Sequence, residues 1–378
     1  MMADSFLSDS PTNAVFTDTT PVDIDMSQVK LEQWVSDVLT KHASISVPEE
    51  VALVPLAGDA GFRRYFEVNV QPRLLAVLAT QCKGNSESAA YFSQLAAVLR
   101  DNGVPTPNII ACDAAQNYLL IEHFGDSVFL DELNADSVDM LYAEALMVLL
   151  RLQQVPRSAL SGLDIGDYDA GSLRTEMQLF RDWFVQQLLG HGLSDTENQM
   201  IDDAFAFLIA QAQAQPQVLV HRDYHSRNLI YRAGEAPGVI DFQDAVWGPV
   251  TYDAVSLLRD CYIRWSPQQV ERWALSYGNL LAELELIPPI SHQQFLQWFD
   301  TMGLQRHIKV LGIFARLALR DNKPSYLHDL PLVLRYTLEL AARYEQTQAL
   351  AQWIEEILLP LAQQQPWYVS PLTAGDGT

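Results

Sequence analysis

Apolar residues follow a helical period near the start of the chain. They recur at every third or fourth position, which is the spacing of one face of an α-helix. The positions are Leu31, Trp34, Val35, Val38 and Leu39. Ser27 precedes them as the candidate N-cap. A second stripe of this kind, at 92–99, predicts another helix that ends at Gly103.

Short extended runs, bounded by turn residues, surround the second helical stripe. We predict five strands, at Val51–Leu56, Arg64–Val70, Leu74–Thr80, Asn108–Asp113 and Tyr118–Glu122. Three strands, a helix and two further strands are typical of a small antiparallel sheet with one packed helix.

Beyond Gly125 the pattern is mostly helical, and one β-rich island at about 217–242 interrupts it. The predicted fold class is α+β and bilobal, with a small antiparallel β-sheet in the N-terminal lobe and a larger, mainly helical C-terminal lobe. We divide the chain into a flexible acidic tail at 1–26, an N-terminal lobe at 27–124, a C-terminal lobe at 125–370 and a frayed end at 371–378.

Charge and composition narrow the classes of partner. The 378 residues include 24 basic and 47 acidic side chains, for a formal net charge of −23. A surface with this excess of negative charge repels nucleic acid and anionic lipid. We therefore expect neither as a partner.

The sequence also argues against membrane insertion and secretion. No apolar run approaches the ~20 residues of a membrane span, and the first basic residue is Lys30, which argues against a secretory signal. Three widely spaced cysteines fit a cytoplasmic location.

The β-rich island carries residue types that suit phosphoryl transfer. The letters HRD, which end at Asp223, follow the first apolar run. Asn228 begins the second run, and Asp241 follows the third. The order H-R-D-x-x-x-x-N followed by D-F is a kinase-like catalytic signature. An aspartate at a strand end can project into a cleft, orient an acceptor hydroxyl and take its proton. The side-chain oxygens of Asn228 and Asp241 are donors that suit Mg²⁺.

Each of these residues taken alone has an ordinary structural interpretation. Asp223 could cap a turn or helix, and Asn228 and Asp241 could be turn residues. Their joint occurrence, in this order and at strand ends, favours the catalytic interpretation. We expect the residues at 221–222 to organise the loop by hydrogen bonding. The His-Ser pair at 225–226 lies in no Gly-x-Ser-x-Gly elbow, so we assign it no nucleophilic role.

The stretch HRDYHSRNLIY…GVIDFQDAVWGPVTYDAVSLLRD resembles the aminoglycoside-phosphotransferase family of small-molecule kinases. A short connection leads from Asp241 through Gly-Pro directly into a helix, where protein kinases have a longer activation segment. Three further stretches, GDAGFRRY, EMQLFRDWF and LGIFARLALRD, resemble the branch that acts on the cell-wall amino sugars N-acetylmuramate and N-acetylglucosamine. The resemblance covers about residues 30–365.

The resemblance implies a protein-kinase-like bilobal fold, ATP as the phosphoryl donor and Mg²⁺ as the cofactor. It further implies Asp223 as the catalytic base and Asn228 and Asp241 as the metal ligands. The implied ATP-binding residues are Gly58, Gly61, Phe62 and Arg63 over the phosphates, with Glu122 and Phe124 at the interlobe hinge beside the adenine.

One departure concerns the cation that kinase-like folds usually place on the third strand. Leu74–Thr80 contains no lysine, although Lys83 lies just beyond it. Lys83, Arg63 or Arg64 could supply this cation, and the sequence leaves the choice open. An exposed loop lysine is the alternative interpretation of Lys83.

The candidate sugar-binding residues are polar or aromatic side chains near the motifs. They are Glu176, Trp183, Arg227, Asp244 and Arg320. Glu176 and Trp183 are seven residues apart on a predicted helix, so they are expected to share one face. Arg316 and Arg320 are spaced to meet a lactyl carboxylate. A core position for the tryptophan and ion pairs for the arginines remain the alternatives.

These observations predict a cytoplasmic, ATP- and Mg²⁺-dependent kinase that phosphorylates the anomeric hydroxyl of N-acetylmuramate or N-acetylglucosamine in peptidoglycan recycling. A kinase of another small hydroxyl compound, such as an aminoglycoside, a choline-like amine, homoserine or another sugar, is the first alternative. The second is a nucleotide-binding pseudokinase, which the missing strand lysine suggests. The sequence leaves open the preferred amino sugar, the anomer and the oligomeric state.

Overall fold

The computed structural model describes residues 26–41, 51–56, 63–70, 73–80 and 88–376. The described part of the N-terminal lobe combines two helices with one antiparallel sheet. The helices are α1 (Met26–Lys41) and α2 (Ala89–Asp101), and the strands are β1 (Leu53–Pro55), β2 (Arg63–Val70), β3 (Arg73–Thr80), β4 (Ile109–Asp113) and β5 (Tyr118–Glu122). The strand order is β1-β2-β3-β5-β4. The five predicted strands are therefore present, with ends within two residues of those expected.

Helices cover both faces of this sheet, where the sequence pattern predicts one packed helix. Leu120 on β5 packs with Leu31 and Val35 of α1, whereas its neighbours Leu119 and Ile121 belong to the cluster that contains α2. Successive side chains of a strand point to opposite faces, so the apolar run in β5 needs cover on each side. Ser27 lies inside α1, which begins at Met26, and not at the expected N-cap position.

The C-terminal lobe is mainly helical, as predicted. Its helices are α3 (Phe129–Glu132), α4 (Val138–Gln153), α5 (Ala170–Leu179), α6 (Asp195–Gln213), α7 (Tyr252–Leu258), α8 (Pro267–Glu283), α9 (His292–Leu319), α10 (Leu330–Ala341), α11 (Glu345–Trp353) and α12 (Leu359–Ala362). Short 3₁₀ helices occur at Arg157–Leu160 and Pro324–Asp329, and π-helical segments at Phe180–Leu188 and Ile354–Leu358. None of the described helices has the length and apolar character needed to cross a membrane.

The β-rich island forms two antiparallel strand pairs in the middle of this lobe. The strands are β6 (Gln217–Val220), β7 (Leu229–Ile230), β8 (Gly238–Val239) and β9 (Val246–Pro249). Strand β6 pairs with β9, and β7 pairs with β8. The predicted bilobal α+β architecture is confirmed.

Helix α9 is the central element of the C-terminal lobe. It runs for 28 residues and packs against helices α5, α6, α7, α8 and α10. Nearly every side chain from Trp298 to Gly312 is buried, although this segment includes charged residues. A helix surrounded on all sides by protein must supply each buried charge with a partner.

Contacts with α10 reach as far as Asp376, within the segment 371–378 for which the sequence predicts fraying, and that prediction stays untested. The Arg335 guanidinium donates to the Ala374 main-chain oxygen at 2.8 Å and to the Asp376 carboxylate at 2.7 Å. Ala374 packs with Leu332 and Tyr336 of α10.

His307 on α9 is expected to make the fold acid-sensitive. Burial lowers the pKa of this imidazole to about 3, although the ring nitrogen Nε2 lies 3.1 Å from the Arg259 main-chain oxygen. Because the folded-state pKa is depressed, His307 favours folding above pH ~6.5, and this contribution is lost as the pH falls toward 3. We expect wild type to lose about 2 kcal/mol more unfolding free energy than His307→Gln between pH 6.5 and 4.5.

Chemical denaturation at a series of pH values measures this difference. The matched control is His292→Gln at the exposed start of α9, which should retain the wild-type slope. Equal slopes for wild type and His307→Gln would contradict the prediction.

Candidate active site

The catalytic loop begins where β6 ends, and one buried carboxylate fixes its first turn. The main-chain N–H groups of His221 and Arg222 donate to the Asp253 carboxylate at 2.7 and 3.0 Å. Burial raises the pKa of Asp253 to about 6, and the two N–H donors oppose that rise. Arg222 adopts a left-handed φ of 75°, which is unfavourable for a non-glycine residue. Asp253 at the start of α7 therefore holds a strained turn immediately before Asp223.

The His221 ring connects the catalytic loop to the strand that leads to Asp241. Its Nδ1 accepts from the Asp223 main-chain N–H at 3.3 Å, and its Nε2 lies 2.9 Å from the Ile240 main-chain oxygen. With Nδ1 as the acceptor, the proton is on Nε2, which donates to Ile240. The expectation that His221 and Arg222 organise the loop by hydrogen bonding agrees with these contacts.

The register of β7 and β8 brings Asn228 next to the residue before Asp241. Leu229 pairs with Val239, and the Ile240 N–H donates to the Asn228 main-chain oxygen at 3.2 Å. The Asn228 side-chain nitrogen donates to the Asp223 main-chain oxygen at 3.0 Å, so its amide oxygen points away from that contact. Asp241 has a left-handed φ of 62°, and its carboxylate accepts from Gln243 at 2.6 Å. The chain thus brings the three motif residues together at neighbouring strand ends.

An amide oxygen and a carboxylate at this point fit a magnesium ion. Mg²⁺ takes oxygen ligands, keeps several waters and needs only one or two protein ligands when nucleotide phosphates complete the shell. Asn228 and Asp241 meet this requirement by residue type and position.

Asp223 is half-buried, and within the described residues no side chain donates a hydrogen bond to its carboxylate. Burial alone would raise its pKa, but the positive charge of Lys309, with smaller contributions from His225, Arg306 and His221, lowers the pKa below its usual value. The group is therefore ionised at neutral pH, as a hydrogen-bond acceptor for a substrate hydroxyl must be.

Glu176 has three partners within the chain, and its proposed contact with the sugar stays a prediction. One oxygen lies 2.5 Å from the Arg222 guanidinium, and the other lies 3.0 Å from the Lys309 ammonium. The Tyr168 hydroxyl donates to the same carboxylate. These contacts satisfy Glu176 inside the chain and place it behind the catalytic loop.

Glu176 and Trp183 do not lie on one regular α-helix. Helix α5 ends at Leu179, and the segment Phe180–Leu188 that follows is π-helical. Hydrogen bonds from i to i+5 widen each turn, so a seven-residue spacing no longer returns to the same face. The expectation of a shared face is therefore wrong, and Trp183 is partly buried against the core of the lobe.

The other predicted sugar-binding residues lie in different surroundings. Arg227 is exposed, with its guanidinium 3.6 Å from the centre of the Tyr262 ring. Asp244 is exposed beside Gln243. Arg320 directly follows α9 and forms two hydrogen bonds with Asp321 at 2.7 and 2.9 Å. Arg320 is eleven residues beyond Lys309, or about 16 Å along the helix, so the structure does not bring it to Asp223.

The predicted nucleotide-binding residues are only partly described. Gly58, Gly61, Phe62 and Lys83 lie outside the described residues, and Arg63 is described only as the first residue of β2. Arg64 lies over the Phe66 ring at 5.1 Å, on the sheet face that packs against α1.

At the interlobe connection, the Glu122 main-chain N–H donates to the Asn108 main-chain oxygen at 2.9 Å, and its carboxylate accepts from the Asn108 N–H at 3.1 Å. The Phe124 ring packs so closely on β8 that a Cβ on Gly238 would lie 2.3 Å from it. The Glu122 contacts stay within the N-terminal lobe, whereas the Phe124 ring reaches β8 of the C-terminal lobe. The role of both residues beside the adenine stays a prediction.

A contact between aromatic rings links the N-terminal lobe to the position of Asp241. Phe242 follows Asp241 directly, is fully buried, and lies 4.7 Å from the Phe92 ring of α2. This contact packs α2 against the residue that follows the candidate metal ligand.

Sequence reasoning missed Lys309, Arg306 and Asp253, which surround Asp223 or its loop. Both cations lie on α9, where Arg306 is 3% exposed and Lys309 is 7% exposed. Their spacing of three residues puts them on one face of the helix. Charged residues inside a stretch of α9 that is buried throughout were the available signal, because buried charges require a partner or a function.

Comparisons with known proteins identify the family of this chain. Residues 52–287 match the model of a family described as the phosphotransferase enzyme family. An N-acetylmuramate/N-acetylglucosamine kinase from Pseudomonas putida is 36% identical over 329 residues, which cover 87% of this chain and 95% of the relative. An N-acetylmuramate/N-acetylglucosamine kinase from Pseudomonas aeruginosa is 38% identical over 291 residues, which cover 77% of this chain and 84% of the relative.

Solved structures share the fold at low sequence identity. The GDP complex of aminoglycoside 2'-phosphotransferase-IIIa has a TM-score of 0.56 and 13% identity, covering 81% of this chain and 98% of that one. A choline kinase from Streptococcus pneumoniae has a TM-score of 0.54 and 12% identity, covering 83% of this chain and 99% of that one. Since the family match spans more than half of the sequence, the chain belongs to the phosphotransferase enzyme family.

Proposed function

We propose that this protein is an ATP- and Mg²⁺-dependent kinase that phosphorylates the anomeric hydroxyl of N-acetylmuramate or N-acetylglucosamine. One observation carries the choice of substrate: a relative named for these two sugars matches 87% of this chain and 95% of its own length. That match includes the helical lobe in which the acceptor must bind. The low-identity resemblance to aminoglycoside and choline kinases supports the fold alone.

Asp223 is the proposed catalytic base. Its ionised carboxylate accepts the proton of the acceptor hydroxyl as that oxygen attacks the γ-phosphorus of ATP. The new bond joins this oxygen to phosphorus, and the bond between the γ-phosphorus and the bridging oxygen of ADP breaks. An anomeric hydroxyl is more acidic than an ordinary alcohol, so a carboxylate is a sufficient base.

Asn228 and Asp241 are the proposed Mg²⁺ ligands, through an amide oxygen and a carboxylate oxygen. When bound, the ion neutralises negative charge on the phosphates of ATP. The loop with Gly58, Gly61, Phe62 and Arg63 is proposed to cover those phosphates. Lys83 stays a candidate for the additional cation.

Trp183, Arg227 and Asp244 are the proposed contacts to the sugar. Arg227 and Asp244 are exposed beside the catalytic motifs, which supports their assignment. Arg320 stays a candidate contact only for a charged group at the far end of the substrate. Its guanidinium already forms two hydrogen bonds with Asp321.

The proposed reaction consumes ATP and an amino sugar, and we infer that it takes place in the cytoplasm. The two described cysteines, Cys112 and Cys261, are unpaired, which supports a reducing compartment. Peptidoglycan recycling is the process that would supply such sugars.

Product analysis tests the substrate and the position of phosphorylation together. We expect incubation with ATP, Mg²⁺ and each amino sugar to release ADP and to yield a product whose phosphorus-31 and carbon-13 NMR signals place the phosphate on C1. The same assay should include an aminoglycoside, choline, homoserine and glucose. A strong preference for one of these acceptors, or phosphate at another carbon, would overturn the proposal. ATP binding without transfer to any acceptor would instead favour a pseudokinase.

A further inference from the structure

Helices α5 and α9 lie side by side and run in the same direction next to the catalytic loop. Glu176 of α5 pairs with Lys309 of α9 at 3.0 Å. Three residues further along each helix, a Cβ on Gly312 would lie 2.3 Å from the Leu179 carbonyl carbon. Because the two contacts advance together along both helices, the next turn of one segment lies beside the next turn of the other.

That next turn carries Trp183 on one side and Arg316 on the other. The segment after Leu179 is π-helical, and residues four or five apart share a face in such a helix, so Trp183 lies one turn beyond Leu179. Residues four apart share a face in α9, so Arg316 lies one turn beyond Gly312. Both side chains are half-buried. The packing thus places an indole and a guanidinium at the same level on neighbouring segments.

The guanidinium of Arg316 lacks a partner for a buried nitrogen. Its Nε is buried and forms no hydrogen bond within the described residues. The negative charge next to it belongs to Asp321, which already accepts two hydrogen bonds from Arg320. A buried donor without an acceptor is unfavourable, and most buried polar groups in proteins have one. This arginine therefore has a donor to offer to a ligand.

The unpartnered guanidinium lies near the place where an acceptor sugar must bind. Glu176 is 2.5 Å from Arg222, which directly precedes Asp223, so the pair of Glu176 and Lys309 marks the level of the catalytic loop. Arg316 follows Lys309 by seven residues, or about 10 Å along the helix. Helical side chains lean toward the N-terminus of their own helix, which directs Arg316 back toward the catalytic loop. A sugar whose reacting hydroxyl lies at Asp223 spans much of this distance.

The two proposed substrates differ in the group that such an arginine would bind. N-acetylmuramate carries a lactyl carboxylate, which N-acetylglucosamine lacks. A guanidinium binds a carboxylate through two parallel, charge-assisted hydrogen bonds. An indole supplies an apolar wall against which the face of a sugar ring can pack. In a chain with a net charge of −23, an anionic substrate also needs a local cation to offset the general repulsion.

We propose that Trp183 and Arg316 form the subsite that selects an amino sugar with a carboxylate. Arg316 binds the carboxylate, and Trp183 packs against the ring. This inference rests on the proposed function and makes N-acetylmuramate the preferred substrate of the two. Arg316 thereby takes the role for which the sequence offered Arg316 and Arg320 together, because Asp321 already binds Arg320.

The test is the ratio of kcat/KM for N-acetylmuramate to kcat/KM for N-acetylglucosamine in Arg316→Gln. We expect this ratio to fall by about 10- to 100-fold, the usual effect of losing a hydrogen bond between charged groups. The fall should come mainly from a higher KM for N-acetylmuramate. A variant that is merely less stable or less active loses efficiency with both sugars, so its ratio does not move.

The methyl ester of N-acetylmuramate removes the charge from the other side of the contact. Wild type should lose about the same 10- to 100-fold in kcat/KM on the ester, whereas Arg316→Gln should treat acid and ester nearly alike. Trp183→Ala should lower kcat/KM for both sugars by about 5- to 10-fold, and Trp183→Phe should recover most of that loss.

The matched control is Arg174→Gln on α5. Arg174 is exposed and lies 3.4 Å from Asp202, so the substitution makes the same change in net charge at a surface ion pair on the same helix. We expect it to keep the wild-type ratio. A fall in the ratio equal to that of Arg316→Gln would mean that net charge, and not a subsite, sets the preference.

The outcomes separate this inference from the proposed function. A folded Arg316→Gln protein with the wild-type ratio would overturn the role of Arg316, while phosphorylation of either sugar by wild type would leave the proposed function standing. If Arg316→Gln does not fold, the ester decides, and equal kcat/KM for acid and ester in wild type would overturn the subsite. If wild type phosphorylates neither sugar, the proposed function fails and the subsite fails with it.

Discussion

Asp223→Asn is expected to reduce turnover by about 1,000-fold or more while ATP affinity and thermal stability change little. The amide has nearly the shape of the carboxylate, but it cannot accept a proton from the acceptor hydroxyl. Asp223 makes no side-chain hydrogen bond within the described residues, so the substitution breaks no hydrogen bond there and removes only the charge that Lys309 and its neighbours face. The measurement is kcat from coupled ADP release, with nucleotide affinity followed by titration calorimetry.

The control is Asp136→Asn in the exposed connection before α4, which should retain full turnover. Turnover of Asp223→Asn within about tenfold of wild type would remove Asp223 from the role of base. Loss of ATP affinity together with turnover would indicate that Asp223 acts through the nucleotide site and not through the acceptor.

Gly312→Ala is expected to destabilise the protein by about 3 kcal/mol. A Cβ at this position of α9 would lie 2.3 Å from the Leu179 carbonyl carbon and 2.5 Å from the Phe180 main-chain nitrogen. Both are backbone atoms at the junction of α5 with the π-helical segment, so no side chain can rotate away. Helical propensity alone predicts the opposite sign, a gain of about 1 kcal/mol for alanine over glycine. The sign of the change therefore tests the close approach directly.

Gly303→Ala on the same helix is the matched control. A Cβ there would meet side-chain atoms of Arg259 and Leu340, each at 3.1 Å, which can shift by a few tenths of an ångström. We expect a change of less than about 1 kcal/mol in its unfolding free energy. If Gly312→Ala melts at or above the wild-type temperature, the two backbones are further apart than the structure indicates. Since α5 also carries Glu176, Gly312→Ala should lower activity in the folded fraction as well.

The catalytic motif could be predicted because its residues lie at the ends of short strands with strong local signals. Apolar runs at 218–220, 229–230 and 238–240 specify three strand ends, and Asp223, Asn228 and Asp241 follow or begin these runs directly. Their roles in catalysis and metal binding stay predictions until variants are measured. The loop at 57–62 and Lys83 also remain predictions, because they lie outside the described residues.

The surroundings of the motif could not be predicted in the same way. Glu176 and Lys309 are 133 residues apart in the sequence, and no local period links them. Trp183 was misplaced because the spacing rule assumes an α-helix, whereas the helix becomes π-helical after Leu179. Both features depend on how α5 packs against α9.

The sequence by itself determined the two lobes, the order of the strands along the chain and the kinase-like residues of the catalytic loop, because period, turn residues and motif spacing are local properties. Only the tertiary structure decided that Glu176 pairs with Arg222 and Lys309 and that Asp253 holds the loop. The physical reason is that a buried charge takes its partner from whichever element packs against it, and that choice depends on helix packing across the whole lobe.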